Sequence, residues 1–454
     1  MHNYIRYILM TMLVLVCTAI GITVEPSAAS AAGIGIVVDG QLVNCNPGAY
    51  ITQDRTMVPL RFIMEAPGVN ADISWDGAKQ QVTVKHNGNT LVLTINSKIV
   101  YQDGQQVTTD VAPLIRQDRT FVPLRFLSES LGAVVSWSNL NNQALVNFKV
   151  RPEVWAYYYA SGKDELRSHA NKVTDVVFRW LQTDGNGDIT YEYADDYQGV
   201  TSLAQELGYR RHLSVMLFDP DQLHQLLSVP ANRAHFIDQM REVLQSTPAE
   251  GINLDLEMMR AEDREAYTAL CRELKAAFPD KMVTAAVMAK TSDSQSWVKA
   301  FDYWAIGQVL DRVMIMAYDE HYSSGSPGAV ASYKWVKQVV DYATSVVPAN
   351  KLMLGLPAYG YTWVAGGSGR ALDQNGLSRL AANGVTVSYQ FNYDAYSPYM
   401  TYWENGKSYT AWLENYTSLN EKWNLALTNQ LSGVFFWRMG GELEAINEVF
   451  PTRS

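Results

Sequence analysis

The sequence predicts an α/β protein: a (β/α)8 TIM barrel with a small α+β insertion, preceded by a small α+β domain of two repeats. Three observations predict it. From residue 153 onward, eight short apolar runs alternate with helical stretches, the order that builds a parallel sheet. The segment Gln53-Asp-Arg-Thr-Met-Val-Pro-Leu-Arg-Phe62 returns 64 residues later as Gln117-Asp-Arg-Thr-Phe-Val-Pro-Leu-Arg-Phe126. Finally, 454 residues with 47% hydrophobic content suffice for one full-sized core and a second, smaller one.

Residues 1–32 come first. Arg6 precedes an apolar stretch starting at Tyr7, and Pro26-Ser-Ala-Ala-Ser-Ala-Ala32 supplies small residues suited to cleavage, the pattern of a secretory signal peptide. The apolar stretch approaches the length of a short span, so an uncleaved anchor is the alternative. The expectation is a secreted protein, extracellular or associated with a wall or spore, with no stable membrane span after cleavage. Cys17 follows Val16 where lipid attachment wants a small residue, so no lipid anchor is expected. Beyond the signal only Cys45 and Cys271 remain, and disulfides cannot be the scaffold.

Residues 33–150 hold the repeats. Each copy reads as a turn, a short strand ended by proline, a short helix (61–65 and 125–131), then a Ser-Trp pair at Trp75 or Trp137 and strands such as 81–85 and 144–150. This region carries nine Lys/Arg and nine Asp/Glu, and residues 1–32 one of each, so the net charge of −10 belongs to residues 151–454. An acidic C-terminal part disfavours nucleic acid and makes a neutral substrate the first expectation.

In residues 151–454, strands are expected near 154–159, 173–180, 213–218, 252–257, 282–288, 312–318, 351–356 and 433–437. The segment 364–431 is too long for an ordinary connection and predicts the insertion, walling one side of a cleft. The fourth strand carries the chemistry. In Glu-Gly-Ile-Asn-Leu-Asp-Leu-Glu (250–257), Asn253, Asp255 and Glu257 share one face, and Ile252, Leu254 and Leu256 the other. A solvated antiparallel strand alternates in the same way. The βαβ order of its neighbours instead turns the polar face into the barrel, where carboxylates are costly without a task.

Gly-Ile-Asn-Leu-Asp-Leu-Glu (251–257), Met-Ala-Tyr-Asp (316–319), Gly-Leu-Pro-Ala-Tyr-Gly (355–360) and Trp437 resemble, in order and placement, the motifs of glycoside hydrolase family 18. The likeness covers essentially all of 151–454. Tyr-Asp-Glu-His (318–321), Gly-Ser-Pro-Gly (325–328) and Trp-Leu-Glu-Asn (412–415) are similar to its branch acting in spore germination and cortex-peptidoglycan breakdown. Two positions depart from the family pattern D-G-x-D-x-D-x-E: Glu250 replaces the first Asp and Asn253 the second. Residues 33–150 resemble the copper amine oxidase N-terminal-like, or stalk, domain. His86 and Cys45 stand alone there, so no copper cluster is expected, and a spacer or wall-associating role is preferred over carbohydrate binding.

The resemblance implies a retaining glycosidase acting on an N-acetylated glycan, peptidoglycan or chitin oligosaccharide, by substrate-assisted catalysis. Glu257 would be the general acid and then base, Asp255 would orient the substrate's acetamido group, and Tyr318 would donate to its carbonyl oxygen. Burial and a neighbouring carboxylate would raise the pKa of Glu257. Asn253, Met316, Asp319 and Trp437 would contact substrate, with Trp437 beneath the sugar. Plain core packing for Met316 and a helix cap for Asp319 are the competing readings. A chitinase proper, or a non-catalytic glycan-binding protein given Glu250 and Asn253, stay open as alternatives. No cofactor and no metal are expected: His321 alone lies near the motifs, and His169, His212, His224 and His235 fall on stretches that read as loop or helix.

Overall fold

The computed structural model describes residues 33–159, 162–441 and 445–452. The predicted signal peptide lies outside them. Among the described residues, no helix is long and apolar enough to cross a membrane.

Eight strands close into a parallel barrel: β1 (Glu153–Tyr158), β2 (Asp175–Thr183), β3 (Arg210–Leu217), β4 (Gly251–Leu256), β5 (Met282–Met288), β6 (Arg312–Met316), β7 (Leu352–Pro357) and β8 (Gly433–Trp437). Closure is made by β1, which pairs in parallel with both β2 and β8. The apolar face of β4, with Ile252, Leu254 and Leu256, packs into the core between barrel and helices. Its other face looks inward, toward a separate cluster of Trp155, Tyr157, Met314, Met353 and Phe435. Strands buried on both faces read as largely apolar runs, which made most of the eight visible in the sequence, while β4 was read from its alternation.

His212 corrects the sequence reading. It stands on β3, where its Nε2 lies 2.8 Å from Asp175 and its ring stacks on Trp155 at 4.2 Å. With Glu153 and Arg210 these groups close the N-terminal mouth of the barrel, the end associated with stability.

The insertion is a five-stranded sheet, ordered Gly369–Leu372, Gly360–Val364, Lys407–Leu413, Ser397–Glu404, Val387–Asn392, with one helix, Gln374–Ala382. Its first strand therefore starts before the expected 364 and its last ends before 431. The helix Tyr416–Thr428, assigned by the sequence reading to the insertion, instead packs against β7 and β8. Its polar residues explain the error, because they are buried. Lys422 pairs with Glu414 at 2.6 Å, while Glu421 accepts from Ser138 Oγ at 2.8 Å and the Asn139 amide at 2.7 Å.

Those last contacts join the barrel to the N-terminal domain. That domain is β-rich, with two four-stranded sheets, a five-stranded meander and the short helices Leu60–Met64 and Leu124–Ser130. Each helix starts directly after the proline ending the preceding strand, as the fixed φ of proline favours. The meander includes Asn89–Thr94, Ile99–Gln102 and Gln105–Thr108; the last two stand at the repeat offset from Gly35–Val38 and Gln41–Val43, so the repeat starts earlier than the sequence motif shows.

Candidate active site

The C-terminal ends of the barrel strands surround a cavity of about 270 Å³. Glu257, Asp255, Tyr318, Met316, Asp319 and Trp437 all line it. Each arrives by the same logic, on an inward-facing position at a strand's end or in the loop just after it. Asp255 is the penultimate residue of β4 and Glu257 follows the strand directly, its amide held by the Leu217 carbonyl at 3.1 Å. Trp437 closes β8 and meets Tyr157 edge-on at 5.3 Å.

Asn253 does not reach the cavity. It is fully buried one layer below, so the structure corrects its assignment as a substrate contact. Its Oδ1 accepts from the Tyr157 hydroxyl at 2.9 Å and Ser214 Oγ at 3.0 Å, and its Nδ2 donates to Thr284 Oγ1 at 2.9 Å. Asn253 therefore positions Tyr157, which does line the cavity. Removing it strands several buried polar groups, each costing roughly 1–3 kcal/mol. Asn253→Ala is expected to lower unfolding stability by about 2–4 kcal/mol, read from urea unfolding midpoints; a loss below about 0.5 kcal/mol would contradict this arrangement.

Glu250 stands at the other end of the strand. It forms a bidentate pair with Arg211, at 2.5 Å and 3.0 Å, roughly 20 Å along the strand from Glu257 at about 3.3 Å per residue. Its departure from the family pattern leaves the cavity untouched.

Electrostatics single out the acidic pair. Burial, followed by the charge of Asp255, pushes the Glu257 carboxyl well above the ordinary glutamate range, with Asp319 adding to the effect. Burial also raises Asp255, against the opposing pull of Arg179 and a hydrogen bond with Glu257. Two acids this close hold one proton between them near neutrality. Asp319 is not a helix cap; its Oδ1 accepts from Tyr359 at 2.6 Å and Tyr361 at 3.0 Å.

Sequence reasoning missed Arg179, Tyr157, Phe218 and Met288 on the cavity wall. Arg179 matters most. Its guanidinium lies 5.5 Å from the Trp437 ring centre and 5.6 Å from that of Phe218, and Nη1 donates to Tyr193 at 2.6 Å. The available signal was a lone arginine in the otherwise apolar run 176–181. Beyond Asp319 and Trp437 the cavity continues into a hollow of about 500 Å³ reaching the insertion, whose lining includes Arg370, Arg379 and Arg438. Among the described residues, no group of three His, Cys, Asp or Glu could hold a metal ion.

With this geometry in place, likeness to known proteins becomes informative. A family model for glycosyl hydrolases family 18 matches residues 153–442, and one for the copper amine oxidase N-terminal domain matches residues 37–146. A putative sporulation-specific glycosylase of Bacillus subtilis is 28% identical over 49% of this chain and 54% of its own length. A cortical fragment-lytic enzyme of the same organism is 33% identical over 42% of this chain and 46% of its own. The chain thus spans about half the length of these curated relatives. Among solved structures, the C-terminal domain of a putative chitinase from Desulfitobacterium hafniense superposes with a TM-score of 0.59 at 27% identity, covering 66% of this chain and 97% of that one. The spore cortex-lytic enzyme SleL of Bacillus cereus shares the fold, with a TM-score of 0.61 at 24% identity over 73% of this chain and 82% of its own.

Proposed function

Because the chain belongs to glycosyl hydrolases family 18, we propose that it hydrolyses β-linked N-acetylglucosamine-containing glycans with retention, peptidoglycan or spore cortex ahead of chitin. One observation carries the reading: Glu257, Asp255 and Tyr318 converge on an open cavity walled by Trp437. Glu257, protonated by virtue of its raised pKa, gives its proton to the glycosidic oxygen. The substrate's acetamido oxygen attacks the anomeric carbon as that bond breaks. Asp255 orients the acetamido group and balances the positive charge of the oxazolinium that forms, with Tyr318 donating to the carbonyl oxygen. Water then opens the ring, giving a proton back to Glu257. Trp437 stacks against the sugar's C–H face.

Two observations favour peptidoglycan over chitin. Curated relatives at 28% and 33% identity are named for sporulation and cortical fragments, those named for chitin oligomers standing at 26% and 23%. In the adjoining hollow, among the described residues, Arg370 is paired with a carboxylate, Glu404 at 3.3 Å. Arg379 and Arg438 also line it, and guanidinium groups in the hollow suit the carboxylates of peptide stems better than a neutral polymer. We place the reaction outside the cell, on the composition of residues 1–32.

The test follows the anomeric proton of the first product by NMR during cleavage of cortex fragments and chitin hexamer. Substrate assistance predicts the β-anomer first and inhibition by a thiazoline mimic of the intermediate. Initial appearance of the α-anomer would overturn the mechanism, and faster turnover of chitin than of cortex would overturn the order of substrates.

A further inference from the structure

The N-terminal domain carries two grooves that are copies of one another. Strands Arg55–Pro59 and Arg119–Pro123 pair antiparallel with Val58 opposite Val122. These are equivalent residues of the two repeats, so a local twofold axis passes between them. On one side, Leu60, Arg61 and Trp75 of the first repeat meet Ile115, Asp118 and Arg119 of the second around a hollow of about 570 Å³. On the other, Leu124, Arg125 and Trp137 meet Ile51, Asp54 and Arg55 around about 460 Å³. Every residue of one set has a counterpart of the same type in the other.

Leu60 and Leu124 belong to the domain's core and Trp137 packs partly against it, but core building does not account for Trp75, Ile51 and Ile115. Trp75 is 45% exposed, and Ile51 and Ile115 are 56% and 48% exposed, where packing alone would bury them. The two grooves differ at their tryptophans. The Trp137 indole donates to Asn139 at 3.0 Å, and the Trp137 carbonyl is held by Asn420 and Asn424 of the barrel. Gly77 stands at the position equivalent to Asn139, which leaves the Trp75 indole unclaimed.

The rim identifies the ligand class. Arg61 pairs with Glu65 at 2.6 Å, Arg125 with Glu129 at 2.8 Å, and Arg55 with Asp110 at 2.6 Å. Such a rim is close to neutral, poorly suited to a polyanion, and rich in planar donors and acceptors for hydroxyl groups. An open indole beside aliphatic side chains accepts the C–H face of a pyranose ring.

We propose that these grooves, foremost the one at Trp75, bind uncharged stretches of a polysaccharide, holding the polymer while the barrel works on it. The proposal rests on the glycan reading of the barrel cavity. The twofold axis makes the grooves run in opposite senses, so a directional chain enters each separately. Two weak sites on one domain then combine through effective concentration.

The experiment uses the full chain carrying Glu257→Gln, which leaves the polymer uncut, and measures its depletion from solution by insoluble peptidoglycan and chitin. Adding Trp75→Ala is expected to weaken binding about tenfold, the effect of losing roughly 1.4 kcal/mol. Trp75→Tyr, which keeps an aromatic face, retains most of it, and Trp75→Ala with Trp137→Ala loses more than either change alone. Unchanged binding in Trp75→Ala, or equal losses in Ala and Tyr variants, overturns the proposal. Cleavage of a soluble glycan by chains with Glu257 intact is read separately. Its absence would strike the cavity reading, whereas cleavage with Trp75-independent binding would strike the grooves alone.

Discussion

Glu257→Gln is expected to lower kcat on a soluble N-acetylated glycan by about two to four orders of magnitude, the range for losing a general acid. Gln matches the shape of glutamic acid and lacks only the transferable proton. KM should therefore move little, because the wall made by Trp437, Met316 and Tyr157 remains. The same change should raise thermal stability at alkaline pH. The folded-state pKa of Glu257 lies above its unfolded value, mainly through burial, so the native state holds its proton more tightly than the unfolded chain does. Wild-type stability then declines as pH rises from the ordinary glutamate value through the raised one. Gln removes that decline. The difference in Tm, variant minus wild type, should grow with pH across this window and vanish below it. Wild-type turnover in the variant, or a Tm difference independent of pH, would remove Glu257 from its role.

How much of this was readable beforehand depended on what a residue type reveals about its depth. Most barrel strands were legible because burial on both faces leaves a largely apolar run, and Asp255 and Glu257 because two acids in such a run need a reason. Asn253 shares their face yet sits a layer deeper. Strand alternation specifies a side but not a depth, so its role as the support of Tyr157 needed coordinates. Arg179 was hidden inside a run read as hydrophobic. The helix Tyr416–Thr428 misled for the opposite reason: Asn420, Glu421, Lys422 and Asn424 read as a solvent face, yet all are buried. Asn420, Glu421 and Asn424 lie against the N-terminal domain, with Lys422 paired to Glu414. Polar periodicity shows that a face is not apolar; it does not show whether water or another domain satisfies it. The twin grooves follow from the repeat only once Val58 is seen opposite Val122, because a sequence repeat fixes no symmetry axis.

Asp255→Asn should be nearly as damaging and more diagnostic. Under the proposed mechanism the acetamido group becomes a cationic ring at the transition state, and Asp255 is the charge that balances it. Removing a preorganised stabiliser of this kind costs about two to three orders of magnitude in kcat. A structural role alone could also slow the reaction, so the pH profile has to discriminate. Asp255 repels the ionised form of Glu257 and helps raise its pKa. Asn at that position removes the repulsion, leaving burial as the main cause of the shift. The alkaline limb of the kcat/KM profile, which marks loss of the Glu257 proton, must then move to lower pH. Asn also ends the proton sharing between the two carboxyls, so the acidic limb should simplify toward a single titration. A slowed enzyme whose alkaline limb stays in place would mean that Asp255 and Glu257 do not sense each other. The account of a poised acid beside a steering anion would then fail, even with both side chains on the cavity wall.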